Sequence, residues 1–129
     1  MQIIETTTAP TPRGHYSQGI VHAGLVYVAG QLPIDPATGD TFGMTAHEQA
    51  VRTLRNVEAV VTAAGSTLDR VLSLTIYVTD ENHWPAVNTA VAEVFGTHRP
   101  ARAVIPILPL RGGAMVEIQA IAAVSDDGR

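Results

Sequence analysis

Two charged side chains stand in apolar surroundings near the end of the sequence. Arg102 lies between Ala101 and Ala103, and Glu117 lies between Val116 and Ile118. A carboxylate inside an apolar strand is costly unless it is paired or hydrogen-bonded, and the guanidinium in the neighbouring apolar segment could be its partner. One reading is a salt bridge that holds strands or subunits in register. The other is chemical: the planar guanidinium grips a substrate carboxylate through two parallel hydrogen bonds, while the glutamate orients water or moves a proton. Spacing alone leaves both open, because it does not fix the register of the last two strands.

Fewer signals attach to the remaining candidates. Tyr16 precedes Ser17-Gln18 and reads as a strand-end aromatic that covers the core. Gly30 follows a strand, where it permits either a tight turn or the close approach of a ligand to the backbone. Asn88 falls on a helix beside its apolar stripe. His47-Glu48 begins like a zinc-protease motif, but Val51 stands where the second histidine belongs. The other histidines are dispersed, so no metal site is expected. Gly112-Gly113 stands alone rather than in a phosphate-binding loop.

The elements that must carry these residues can be read from periodicity. Residues up to Pro12 read as an extended arm or edge strand. Gln18–His22 and Leu25–Ala29 flank Ala23-Gly24 as a hairpin, and residues 31–43, with Pro33, Asp35-Pro36 and Gly39, read as loop. Thr45 with Glu48 three residues later is a capping box. Ala50, Leu54, Val57, Val61 and Ala64 then recur at helical spacing up to Gly65. From Val71 to Val78 the period changes to two, with Leu72, Leu74, Ile76 and Val78 expected on one face. A second helix is expected from about Asn82, with Trp84, Val87, Val91 and Val94 or Phe95 as its buried stripe, ending at Gly96. Strands near residues 101–108 and 114–124, joined by a short turn, complete a β-β-α-β-α-β-β order.

That order predicts an α/β fold, one domain over residues 1–129, with a mixed sheet and two helices on one face. The other face is also apolar in its last strands, which predicts that another subunit covers it. The composition narrows the function. A net charge of -4, with all eight basic residues arginine and scattered, argues against a nucleic-acid surface. The absence of cysteine excludes disulfides, thiolate catalysis and thiolate metal sites. The start, Met1-Gln2-Ile3-Ile4-Glu5, lacks a secretory signal pattern, and no apolar stretch approaches the roughly 20 residues of a membrane span. A cytoplasmic protein is the expectation.

Several segments, in order and at matching intervals, resemble the Rid family, also called YjgF/YER057c/UK114. They are Gly14-His15-Tyr16-Ser17-Gln18, Tyr27-Val28-Ala29-Gly30-Gln31-Leu32, Asp35-Pro36-Ala37-Thr38-Gly39, Ala63-Ala64-Gly65-Ser66 and Ala86-Val87-Asn88. The most specific are Arg99-Pro100-Ala101-Arg102-Ala103, Leu108-Pro109 and residues 116–122. The resemblance implies a fold like a bacterial chorismate mutase and a homotrimer with a cleft between subunits. It also implies cofactor-free hydrolysis of enamines and imines, such as 2-aminoacrylate, to a 2-keto acid and ammonia, an activity of the 2-iminobutanoate/2-iminopropanoate deaminase type. By position, Arg102 matches the arginine that binds the substrate carboxylate and Glu117 the glutamate associated with water. Tyr16, Gly30 and Asn88 match residues lining the cleft. Departures at His15, Ala29 and Val104 leave substrate identity open, and Pro106 removes a backbone donor. Two alternatives stand beside this reading: a trimer that binds carboxylate metabolites or regulates a partner without turnover, and a deaminase specialised for a pathway intermediate such as an aminomuconate-like compound.

Overall fold

The structure is a computed structural model in which residues 1–124 are described. Eight main elements follow one another: β1 (Gln2–Ile4), β2 (Gly19–His22), β3 (Leu25–Gln31), α1 (Ala46–Ala63), β4 (Val71–Val78), α2 (Trp84–Phe95), β5 (Ala101–Pro106) and β6 (Val116–Ala123). The arm expected at the start forms the short edge strand β1. The hairpin turn is Ala23-Gly24, both at positive φ (53° and 79°), as the twist of a two-residue hairpin connection requires.

The strands make one sheet in the order β1-β2-β3-β6-β4-β5. Four of its five pairings are antiparallel; β4 and β5 are parallel and connected through α2. A parallel pair needs such a crossover because a short turn cannot reverse the chain direction twice. This corrects the expectation of a final hairpin: β5 and β6 are not neighbours, since β4 runs between them. The apolar segment that carries Arg102 is also not an interior one, for β5 is an edge strand and mostly exposed.

Both helices cover the same sheet face. α1 starts as its capping box predicts, with the Thr45 hydroxyl accepting from Glu48 N–H and the Glu48 carboxylate accepting from Thr45 N–H. Its apolar stripe, Ala50, Leu54, Val57, Val60 and Val61, is fully buried against β3 and β6. Leu74, Ile76, Val78, Val116 and Ile118 supply the facing layer. Each such side chain contributes about 1.5–3 kcal/mol relative to exposure. Leu72 does not join this face. The β4–β6 register shifts between Val71 and Ser73, so Val71 enters the core and Leu72 is exposed. Period two cannot foresee a bulge, which changes the face of every residue on one side of it.

No helix of the described chain covers the opposite face. It carries Ile3, Tyr27 and Ile105 in exposed positions, together with Tyr77, whose hydroxyl donates to Gln119 Oε1 at 2.6 Å. Among the described residues, no helix is long and apolar enough to cross a membrane.

Candidate active site

Arg102 and Glu117 occupy opposite faces of the sheet. Arg102 stands opposite Leu74 in the parallel register, and Leu74 is buried beneath the helices. Its guanidinium accordingly lies 4.6 Å above the Trp84 ring at the start of α2. Glu117 stands opposite Tyr77, between the buried Val116 and Ile118, so its side chain emerges on the uncovered face. With β4 between their strands and three residues of offset, they lie roughly 10 Å apart across the sheet and roughly 10 Å apart along it. The two charges therefore form no salt bridge within one chain, and the reading of the pair as a tie between neighbouring strands falls.

Each charge gathers its own neighbours. Around Arg102, a cleft of about 480 Å³ is walled by Asn88, Val91 and Ala92 of α2 and by His98, Arg99 and Pro100 ahead of β5. Asn88 comes one turn after Trp84, which brings it to the same wall of the helix. Burial of the Trp84 flank places the aromatic face under the guanidinium, an attraction of about 0.5–1 kcal/mol at an exposed site. The sequence reading placed Trp84 only in the apolar stripe; its half-buried position leaves one side of the ring to hold Arg102.

Around Glu117, the close neighbour is Gly30. Ala29 and Gly30 together occupy an irregularity in β3, where the register with β6 shifts between Val28 and Gln31. A Cβ at Gly30 would stand 2.6 Å from Glu117 Oε2, so the bare backbone is what lets the carboxylate lie there. Burial pushes the Glu117 carboxyl above its ordinary value, as expected for a charge removed from water without compensation. Gly30 also lines a pocket of about 90 Å³ with Tyr16, Arg13 and Leu32. Tyr16 is 54 % exposed and separates that pocket from a larger one, about 610 Å³, formed by the arm and Gln18. The five predicted residues thus fall into two groups, Arg102 with Asn88 on one side and Glu117, Gly30 and Tyr16 on the other.

Polar residues of α1 hold the second group in place. Gln49 Oε1 accepts from Met115 N–H at 2.7 Å, two residues before Glu117, while its amide donates to the Gly43 and Gly113 carbonyls. Asn56 donates to the carbonyls of Leu32 and Ile34, just beyond Gly30. Both are buried, with Thr53 between them. Sequence reasoning passed over this stripe, although Gln49, Thr53 and Asn56 recur at helical spacing on the apolar side of α1. His47, the start of the incomplete zinc motif, instead meets Glu93 of α2 at 2.8 Å.

Comparison with known proteins gives this arrangement its kinship. Residues 6–124 match the family described as Endoribonuclease L-PSP. A RutC family protein of Pyrococcus horikoshii is 38% identical over 121 residues, covering 94% of this chain and 96% of the relative. The 2-iminobutanoate/2-iminopropanoate deaminase of Capra hircus is 36% identical over 121 residues, 94% of this chain and 88% of its own. Among solved structures, E. coli TdcF with bound serine superposes with a TM-score of 0.91 at 34% identity, covering 97% of this chain and 100% of that one. The E. coli YjgF gene product gives 0.91 at 32%, with the same coverage. The fold is the chorismate-mutase-like fold of these proteins, and the chain belongs to the Endoribonuclease L-PSP family, known through such members as the Rid or YjgF family.

Proposed function

We propose that this protein hydrolyses small reactive imine and enamine acids of the 2-aminoacrylate type to 2-keto acids and ammonia. We also propose that it does so as a homotrimer whose clefts join the Arg102 group of one copy to the Glu117 group of the next. The observation that carries the proposal is the separation of the two charges onto opposite sheet faces. Neither has an ionic partner among the described residues, and each is presented beside a cavity or an uncovered surface. A heterologous interface brings unlike patches of successive copies together and closes into a ring when the rotation permits. The deaminase name of a relative at 36% identity supports the reaction class.

The chemistry needs little from the protein. Arg102 binds the carboxylate in bidentate fashion; an enamine first takes a proton on its terminal carbon to become the imine. Water then attacks the imine carbon, its oxygen forming the new bond while the C=N π pair moves to nitrogen. Glu117 accepts the water proton as that bond forms, and the raised affinity of its carboxyl for protons suits the task. That proton passes to nitrogen to give the carbinolamine; the hydroxyl proton follows it to nitrogen as the C–N bond breaks, so the carbonyl forms and ammonia leaves. Asn88 and the Gly30 backbone line the approach. The wording of the family description favours no second reading here: a net charge of -4 opposes the phosphate contacts on which RNA binding depends.

Mixing two inactive variants tests the reaction and the shared cleft together. Arg102→Ala and Glu117→Gln proteins, each purified, are unfolded together, refolded together and assayed on imine made in place by an amino-acid oxidase. Random assembly gives about a quarter of the clefts both native residues if they come from different copies, so about a quarter of parental activity should return. No return at all, with assembly verified, means that the two residues act within one chain or not at all.

A smaller change probes the backbone at Gly30. The methyl group of Gly30→Ala must displace the Glu117 carboxylate. Misplacing a reacting group by about 1 Å costs on the order of 100-fold. Activity should fall by about that factor, with circular dichroism and assembly retained.

A further inference from the structure

The cleft beside Arg102 has a second arginine in its wall. Arg99 lines it together with His98, Asn88 and Pro100, and no carboxylate does. The single acid on α2, Glu93, is engaged by His47 at 2.8 Å. In a chain with eight arginines and a net charge of -4, two arginines share this one cavity without an acid to neutralise them. Neither is hydrogen-bonded or ion-paired to another described residue.

The wall is also fixed in orientation. His98 Nε2 lies 2.7 Å from the Val71 carbonyl and therefore donates to it, and the ring packs at a tilt on Phe95. That anchors the segment joining α2 to β5, on which Arg99 stands. Arg99 and Arg102 are three residues apart, roughly 10 Å in an extended segment, a span that two flexible guanidinium arms can bridge from both ends. A cleft of about 480 Å³ is far larger than 2-iminopropanoate requires, so space remains beyond the anchor.

We propose that this cleft selects imino acids that carry a second carboxylate, the carboxylate next to the imine on Arg102 and the distal one on Arg99. The proposal rests on Arg102 being the carboxylate anchor, and adds to it a substrate class and a specificity residue. The guanidinium of Arg99 offers the distal oxygens the same planar fork that Arg102 offers the proximal ones, and its charge discriminates against substrates with an apolar tail by leaving a cation without a counterion.

The test compares two imines made in place over the uncatalysed background, 2-iminosuccinate from L-aspartate and 2-iminopropanoate from alanine, with the parent protein, Arg99→Gln and Arg99→Lys. The parent should prefer 2-iminosuccinate. A charge-assisted hydrogen bond of about 1.5–3 kcal/mol translates to roughly 10- to 100-fold. The ratio of kcat/KM for 2-iminosuccinate over 2-iminopropanoate should fall by that factor in Arg99→Gln, mainly through KM, and be partly restored in Arg99→Lys. A ratio that Arg99→Gln does not move, or a parent slower on the dicarboxylate, overturns the proposal while leaving the deaminase reading intact. A parent that accelerates neither imine overturns both.

Discussion

Replacing Arg102 by alanine is expected to lower kcat/KM for imino-acid hydrolysis by roughly 30- to 1,000-fold. Truncating one partner of a hydrogen-bonded charge pair costs about 2–4 kcal/mol, and each 1.4 kcal/mol is about tenfold. The loss should be far greater than the change in folding stability, because Arg102 is exposed on an edge strand and its recorded attachment is to the Trp84 ring. Steady-state assays with oxidase-generated imine, beside thermal melts, separate the two effects. Arg102→Lys keeps the charge but not the fork, and it should recover only part of the loss. An alanine variant within about twofold of the parent would remove Arg102 from the substrate.

The second large effect is on the chemical step. Glu117→Gln retains size and shape but cannot accept a proton, and general-base catalysis contributes about 100- to 10,000-fold; kcat should fall within that range. The parent's activity should rise with pH along an acidic limb that reports Glu117 ionisation. That limb should lie above the usual carboxylate range, since burial favours the neutral form. In Glu117→Gln the limb should vanish. Stability should move in the opposite direction to activity. The folded carboxyl binds its proton more tightly than the unfolded one, so the parent loses stability as pH rises from the ordinary value through the raised one. The glutamine variant is spared that loss. It should melt higher than the parent at neutral pH, with the gap closing in acid below both values. A variant that is slower and less stable at neutral pH would instead mark Glu117 as a structural group.

Much of the architecture was legible in the sequence because local signals and the fold agree. Thr45 with Glu48 fixed the start of α1, and Gly65 fixed its end. The switch to period two at Val71 marked β4 over its observed length. What spacing could not supply was order. Apolar alternation says which residues share a face, not which strands are neighbours, and β4 lies between the two strands that carry Arg102 and Glu117. The same limit hid the most consequential fact, that the two charges leave the sheet on opposite sides. The resemblance to a family named the residues, and the register of β4 with its two partners shows how they are divided. The positioning role of Gln49 and Asn56 was hidden for another reason. A buried amide on a helix stripe is visible, but the backbone groups it holds lie 6 to 66 residues away.

Pro106, odd in a strand, makes sense once β5 is seen at the rim of the sheet. Ile107 sends its N–H to the Val78 carbonyl, so the nitrogen of Pro106, one residue earlier, points away from β4. A foreign strand arriving at that rim would meet a ring carbon where it needs a proton, with a carbonyl left unanswered. Ribbon growth from molecule to molecule is thereby discouraged at the cheapest place to start it. The proposed homotrimer would instead use the broad side of the sheet, where Tyr27 and Ile105 lie bare, and contacts of that kind close on themselves after a few copies instead of lengthening without end.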